Sequence, residues 1–204
     1  MPFERLHKLS SGREAWVRGG PACPRNALVA GAWFMLREVE LATSRAALLE
    51  IVPGPAGEAR ATWHLPASKT DQRAEGVART HYCSCTPGSR PSASCVVHVL
   101  WDQALWLKRK FPELYDQDGK PSSDLPVFPT AQGTVVNKAS MTATIVEGAR
   151  RLGMAVRTAD GSHRVTGHSL RVSGAQGLTR RDLDLWTVQL LGRWGSSAVH
   201  GVRS

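Results

Sequence analysis

The chain has 204 residues, of which 42% are hydrophobic, and it carries a formal net charge of +9. Its length and composition are typical of one soluble globular domain, and its charged start and short apolar runs predict neither a secretory signal nor a membrane-spanning helix. The positive charge indicates a polyanionic partner such as nucleic acid, although a solvated cationic surface alone explains it equally well.

The first part of the chain predicts a helix and then a small sheet. Residues 1–25 mix Gly, Pro, Ser and Arg and are predicted to be an irregular lead-in. From Asn26, the apolar residues Leu28, Ala32, Leu36 and Val39 recur at helical spacing on one face. Turn-rich segments then separate three short apolar runs, which predict an antiparallel meander over Ala46–Val52, Ala59–Leu65 and Val77–Cys83.

The second part of the chain is predicted to be helical. A segment rich in Asp, Gly, Pro and Ser, residues 117–129, is expected to be a surface loop. Helical periodicity predicts four further helices, over Cys95–Phe111, Ala139–Leu152, Ser169–Leu178 and Trp186–Leu191. Helices on both sides of one small sheet predict an α+β domain that is mostly α-helical, with a three-stranded antiparallel sheet.

Three places in the sequence carry residues suited to binding and transferring a phosphoryl group. His168 and Arg171 lie three residues apart in Gly-His-Ser-Leu-Arg, a spacing that puts them on one face at the start of a helix. Arg37 is predicted to lie on a buried helix with Glu40 one turn further on, and Lys69 lies between the second and third strands. Arginine binds phosphate oxygens bidentately and keeps its charge, and a lysine ammonium can protonate a leaving oxygen. Singly, each of these residues is more often an ordinary surface residue.

Arg37 with Glu40, then a sheet that carries Lys69, and then His168 with Arg171 form a pattern along the chain. This pattern resembles the catalytic domain of the tyrosine recombinase and phage integrase family. The resemblance runs from about Asn26 to the end of the chain. It implies that Arg37 and Arg171 clamp the scissile phosphate, that Lys69 is the general acid and that His168 assists as an acid/base partner. Trp194, after Leu-Gly-Arg, occupies the place of a second histidine, where an indole N–H can still donate to phosphate; its alternative is a capping aromatic residue in the core.

The sequence departs from the family at the nucleophile. The tyrosine should lie eight or nine residues beyond Trp194, but residues 195–204 contain none, and Val202 or Arg203 takes its place. The two tyrosines, Tyr82 and Tyr115, match no position of the family pattern. We therefore expect residues 26–204 to be a recombinase-like catalytic domain that is truncated at its C-terminus, lacks the family's N-terminal core-binding domain and is inactive alone.

A second group of residues suggests a metal site. Cys83, Cys85, Cys95 and His98 supply three thiols and an imidazole within sixteen residues, a set that can hold a structural zinc ion. The single residue between the first two cysteines is a tighter spacing than the usual two to four, which favours ordinary reduced cysteines at a strand end and a helix start. Whether these residues bind zinc stays open at this point, and neither a cofactor nor a metal is assigned.

Two functions are compatible with these residues. The first is DNA recombination or integration through a 3′-phosphotyrosyl intermediate, and the second is a catalytically inactive DNA-binding remnant of a mobile element. The stretches Leu65–Asp71 and Gly167–Gln176 resemble recombinase-like reading frames of eukaryotic mobile elements. A zinc-stabilised nucleic-acid-binding module is a third alternative, which does not explain the proposed catalytic residues.

The expected partner is double-stranded DNA rather than a membrane, with a homo-oligomer on DNA left open. The expected location is intracellular and DNA-associated: the nucleus in a eukaryote, otherwise the cytoplasm or nucleoid.

Overall fold

A computed structural model describes residues 1–55, 57–65 and 76–192 and shows a mixed α+β architecture. A 3-10 helix at Phe3–Lys8 precedes the first α-helix, and a three-stranded sheet separates two helices from the remaining four. The helices are α1 (Pro24–Trp33), α2 (Glu38–Thr43), α3 (Val96–Lys110), α4 (Lys138–Arg151), α5 (Ser169–Thr179) and α6 (Leu185–Gly192). In the described ranges, no helix is long and apolar enough to cross a membrane.

The sheet is an antiparallel meander, as the alternating turn and apolar segments predict. Its strands, in spatial order, are β1 (Leu49–Val52), β2 (Arg60–Leu65) and β3 (Val77–Tyr82). Trp63 in the central strand is completely buried and packs edge-on against Phe34, which follows α1. The sheet therefore shares one hydrophobic core with the helices.

Helix α5 packs closely against α1 and against the 3-10 helix because it has a glycine at each contact. A Cβ atom on Gly174 would lie 2.0 Å from the Ala32 carbonyl oxygen, and one on Gly177 would lie 2.4 Å from Phe3 Cγ. Real Cβ atoms do not approach other atoms this closely, so the observed packing requires glycine at both positions. The crossing brings the start of α5 next to the turn between α1 and α2.

Replacing Gly174 with alanine should therefore destabilise the protein. Overpacking of this kind costs about 1–3 kcal/mol, which exceeds the roughly 0.5–1 kcal/mol that alanine gains over glycine inside a helix. Urea unfolding followed by circular dichroism measures the difference. Val172→Ala, at an exposed position of the same helix, is the matched control, and its free energy of unfolding should change by less than about 0.5 kcal/mol. Equal stability of Gly174→Ala and the unchanged protein would contradict this packing.

Two details of the predicted fold are wrong. The helix predicted from Asn26 through Val39 is two helices, and Arg37 is the N-cap residue of α2 rather than a residue within a long helix. The segment 117–129 has no helix or strand, but it is not only a surface loop, because Val127 and Phe128 are completely buried. The segment thus supplies core residues despite its polar composition.

Candidate phosphate-binding site

The turn between α1 and α2 ends α1 with a Schellman motif. The Leu36 N–H donates to the Gly31 carbonyl at 2.8 Å, and the Met35 N–H donates to the Ala32 carbonyl at 3.2 Å. Met35 has φ of +49°, in the left-handed region where glycine is usual, yet its side chain is completely buried. Burial of the Met35 side chain offsets the strain of its backbone. The turn therefore has a fixed conformation, and Arg37 follows it at the start of α2.

Two arginines from distant parts of the chain bind the carbonyl groups of this turn. The Arg171 Nε atom donates to the Met35 carbonyl at 2.9 Å, and the Arg79 Nη1 atom donates to the Phe34 carbonyl at 2.9 Å. Both arginines are more than nine-tenths buried. The turn is consequently bonded to both α5 and β3, which fixes its position in the molecule.

Glu40 joins Arg37 to Arg171. Its Oε2 atom accepts hydrogen bonds from the Arg37 backbone N–H at 2.8 Å and from Arg171 Nη2 at 2.9 Å. Its Oε1 atom lies 3.3 Å from Arg37 Nη2. Arg171 and Glu40 are 131 positions apart, so the fold rather than local sequence brings the two guanidinium groups to one carboxylate.

A second glutamate of α2 lies against the motif that contains His168. A Cβ atom on Gly167 would lie 2.3 Å from Glu38 Cδ, so this contact requires glycine. The buried Glu38 carboxylate lies 3.5 Å from Lys138 Nζ, and its Oε2 atom has no hydrogen-bond partner among the described residues. Helix α2 therefore contacts the motif at both ends, Gly167 through Glu38 and Arg171 through Glu40.

The charges of this cluster favour an anion. Two guanidinium groups face the single Glu40 carboxylate, which leaves a net charge of +1 at the Arg37–Glu40–Arg171 cluster. The Arg37 side chain is 23% exposed, and its Nε atom is buried without a hydrogen-bond partner among the described residues. A phosphate oxygen is the acceptor that such a guanidinium binds best.

The other predicted site residues are placed differently. His168 is exposed, at the position immediately before α5, and lines a pocket with Arg164, Arg180 and Met1. In the described part of the chain, neither Arg37 nor Arg171 lines that pocket. Lys69 and Trp194 lie outside the described residues. The structure thus brings together the two predicted arginines, and it does not show His168 beside them.

The two Arg-Arg pairs of the sequence, at 150–151 and 180–181, already have partners within the protein. Arg150 and Arg151 both pair with Glu147, and Arg180 pairs with Glu4. The Arg181 guanidinium lies over the rings of Phe3 and Trp33. By contrast, Lys108, Arg109 and Lys110 are exposed at the end of α3 and form no ion pair with any described residue.

Sequence reasoning identified Arg37, Glu40 and Arg171 but missed how they are connected. It paired Glu40 with Arg37 alone, and it did not single out Arg79 or Glu38. A buried arginine within an otherwise ordinary strand gives no periodic signal, so Arg79 could not be found from spacing. Gly167 precedes His168 in the Gly-His-Ser-Leu-Arg motif, and a glycine there was the available signal of a closely packed neighbour such as Glu38.

Comparisons with known proteins agree with the architecture. No family model and no curated protein matches the sequence. Among solved structures, the XerH site-specific recombinase bound to difH substrate has a TM-score of 0.58 at 15% identity, covering 98% of this chain and 46% of XerH. A lambda integrase (75–356) dimer bound to a COC′ core site has a TM-score of 0.57 at 13% identity, covering 100% of this chain and 58% of the integrase chain.

These similarities confirm the predicted fold class. The chain spans about half the length of the solved structures that it matches. At this level of identity, the likeness establishes architecture and leaves activity to be argued from the residues of the site. The chain has the mixed α+β fold of a tyrosine recombinase catalytic domain, with its three-stranded antiparallel sheet.

Proposed function

We propose that this chain binds double-stranded DNA and holds a backbone phosphate between Arg37 and Arg171. The observation that carries this proposal is the Glu40 carboxylate, which contacts both arginines although they come from distant segments. A carboxylate that orients two guanidinium groups without neutralising both leaves a cationic site for a phosphodiester. The net charge of +9 and the exposed Lys108–Lys110 run add attraction for a polyanion.

The alternative interpretation of the two arginines is a purely structural one. A buried Arg–Glu–Arg arrangement can serve only to connect helices, and the Arg171 bond to the Met35 carbonyl is consistent with that role. The partial exposure of Arg37 favours the binding role, since a purely structural guanidinium has no need to reach solvent. The neighbouring recombinases, XerH and lambda integrase, are both bound to DNA sites in their structures, which supports the same choice.

A second, more detailed proposal concerns DNA strand exchange. A recombinase needs cationic groups at the non-bridging phosphate oxygens, an acid for the departing 5′ oxygen and a nucleophile that conserves the bond energy. We propose Arg37 and Arg171 for the first role, Lys69 as the acid, His168 as its assistant and Trp194 as a further donor. Lys69 and Trp194 lie outside the described residues, so their roles rest on the family resemblance alone.

The nucleophile distinguishes a recombinase from an inactive DNA-binding protein. Residues 195–204 contain no tyrosine at the family's position, and a valine side chain cannot attack phosphorus. Water lacks the positioning of a tethered oxygen, which contributes roughly 7–11 kcal/mol to such reactions. For the sequence given, we therefore propose DNA binding without cleavage, with strand exchange as the activity of relatives that have the tyrosine.

A suicide-substrate assay tests both parts of this proposal. The purified chain is incubated with a labelled, nicked duplex and analysed by native and by SDS electrophoresis. The native gel should show a shifted complex, because the phosphate site binds DNA without chemistry. The SDS gel should show no protein–DNA band, because no hydroxyl is held at the family's position.

Two outcomes would contradict the proposal in different ways. Absence of a shifted complex at low salt would contradict DNA binding. An SDS-stable band from the unchanged protein, lost when Tyr82 or Tyr115 is replaced by phenylalanine, would show that the nucleophile had been assigned to the wrong position. Tyr82 is exposed at the end of β3 and Tyr115 is half-buried, so each phenylalanine variant should fold and can serve as the control for the other.

Assembly, origin and location are also proposals. An oligomer on DNA and derivation from a mobile element follow from the family resemblance, as does a DNA-associated location in the nucleus of a eukaryote or otherwise in the cytoplasm or nucleoid. The same is true of the domain organisation, with residues 26–204 as the catalytic portion. The 3-10 helix at Phe3–Lys8 packs into the core, so part of the lead-in belongs structurally to this domain.

A further inference from the structure

Four potential metal ligands converge where β3 ends and α3 begins. Cys83 follows the last residue of β3, Cys95 is the N-cap residue of α3, and His98 lies in the first turn of α3. Cys85 comes from the loop between them. The three sulfur atoms and a ring nitrogen of His98 all lie within 4.8 Å of one another.

The separations between these atoms match a tetrahedral zinc site. The His98 Nδ1 atom lies 3.5 Å from Cys85 Sγ and 3.8 Å from Cys83 Sγ, and the Cys83 and Cys95 sulfur atoms are 3.9 Å apart. A tetrahedral zinc ion with Zn–S bonds of about 2.3 Å and Zn–N bonds of about 2.0–2.1 Å has S···S edges of about 3.8 Å and S···N edges of about 3.5 Å. These three separations are close to the expected edges and the other three do not exceed 4.8 Å, so one ion can bind all four ligands after a small movement.

Ordinary reduced cysteines and a disulfide explain the arrangement less well. All four cysteines of the chain are free thiols, and the Cys83–Cys95 sulfur separation is well beyond the disulfide bond length of about 2.05 Å. Unrelated thiols have no reason to lie this close to one another and to an imidazole. The single residue between Cys83 and Cys85 is accommodated because both cysteines lie beyond the end of β3 and the chain bends at Cys85.

The loop that joins β3 to α3 is mostly exposed, and outside side chains hold its last two residues, where Arg25 and Trp33 donate to the carbonyl groups of Ala93 and Ser94. Residues 84–94 contain no helix or strand, and none of them is fully buried. Cys85 holds this loop from within, since its sulfur atom accepts a hydrogen bond from the Ser92 backbone N–H at 3.2 Å.

We propose that Cys83, Cys85, Cys95 and His98 bind one structural Zn²⁺ ion that fastens the β3–α3 connection to the core. Three thiolates and one imidazole are the ligands of closed structural zinc sites, which leave no coordination position for a substrate. The ion would hold the end of β3, the strand from which Arg79 reaches the Phe34 carbonyl. This site is separate from the proposed DNA site, and its existence does not depend on DNA binding.

Metal content of the full chain, purified without a polyhistidine tag and after zinc supplementation, tests the proposal. Elemental analysis should find one zinc ion per chain. Cys85→Ser and Cys95→Ser should each lose the stoichiometric ion, whereas Cys23→Ser should retain it. Cys23 is the matched control because it is the remaining cysteine, and its sulfur atom bonds to Arg13 away from the cluster.

A second measurement covers the case in which the cluster variants fail to fold. Cobalt substitution of the unchanged chain should give the visible absorption of tetrahedral Co²⁺ together with a thiolate-to-metal charge-transfer band. A thiol-binding mercurial should then release one metal ion per chain. Absence of stoichiometric metal after reconstitution, a cobalt spectrum without the thiolate band, or full zinc retention in Cys85→Ser and Cys95→Ser would each overturn the assignment.

Discussion

Replacing Glu40 with alanine should lower the free energy of unfolding by about 3–5 kcal/mol, the usual cost of removing one partner from a buried ion pair. The Glu40 and Arg171 side chains are only 11% and 10% exposed, so little water can replace the lost carboxylate. The substitution also removes the acceptor of the Arg37 backbone N–H at the start of α2. Chemical denaturation at neutral pH measures the loss.

Glu4→Ala is the matched control for this measurement. Glu4 also pairs with an arginine, Arg180, but the two side chains are 47% and 62% exposed. Exposed pairs contribute about 0–1 kcal/mol, so this variant should unfold almost like the unchanged protein. Equal losses in Glu40→Ala and Glu4→Ala would mean that Glu40 does not organise the site.

Affinity for duplex DNA should fall steeply as salt rises. If the basic surface makes about 6–10 phosphate contacts, affinity should decrease by roughly 10³–10⁵ between about 50 and 200 mM salt, because bound counterions are released from the DNA. The preference for one DNA sequence over another should be weak, since phosphate contacts carry no base information. Fluorescence anisotropy with two unrelated duplexes measures both properties.

Two variants test whether Arg37 itself contacts a DNA phosphate: Arg37→Gln removes the proposed contact, and Arg157→Gln is the control. Arg37→Gln loses one phosphate contact, so it should bind both duplexes more weakly by about the same factor. The slope of log affinity against log salt concentration should become less steep by about 1. Arg157 is exposed and bonds to the Gly161 carbonyl within its own loop, so its replacement should leave the slope unchanged. Binding that is indifferent to salt, or absent at low salt, would contradict a DNA-binding function.

The regular elements of the fold could be predicted because their apolar residues are periodic. The helices at Val96–Lys110, Lys138–Arg151 and Ser169–Thr179 lie within a residue or two of the predicted ranges, as do the second and third strands. The first strand begins three residues late, because Ala46–Leu48 form a 3-10 turn. The break between α1 and α2 was not predictable, since Met35 takes a backbone conformation for which glycine or asparagine is the usual signal.

The site was only partly predictable for a different reason. Arg37 and Glu40 are three residues apart, so their contact follows from helical spacing. The contact between Glu40 and Arg171 depends on how α5 crosses α1, which in turn depends on Gly174. Without the family resemblance, nothing in local sequence would have connected Arg171 to Arg37. The same limit applies to the cysteine cluster, where spacing alone favoured unconnected thiols and the fold brings four ligands together.

The most direct test of a phosphate site between Arg37 and Arg171 is a crystal structure of this chain with a short DNA duplex. We expect the non-bridging oxygens of one phosphate to lie about 2.7–3.0 Å from guanidinium nitrogens of both Arg37 and Arg171, with Glu40 still bound to the two side chains. A complex in which the DNA phosphates contact only other basic residues, such as Lys108 and Lys110, and neither Arg37 nor Arg171 contacts a phosphate, would contradict it.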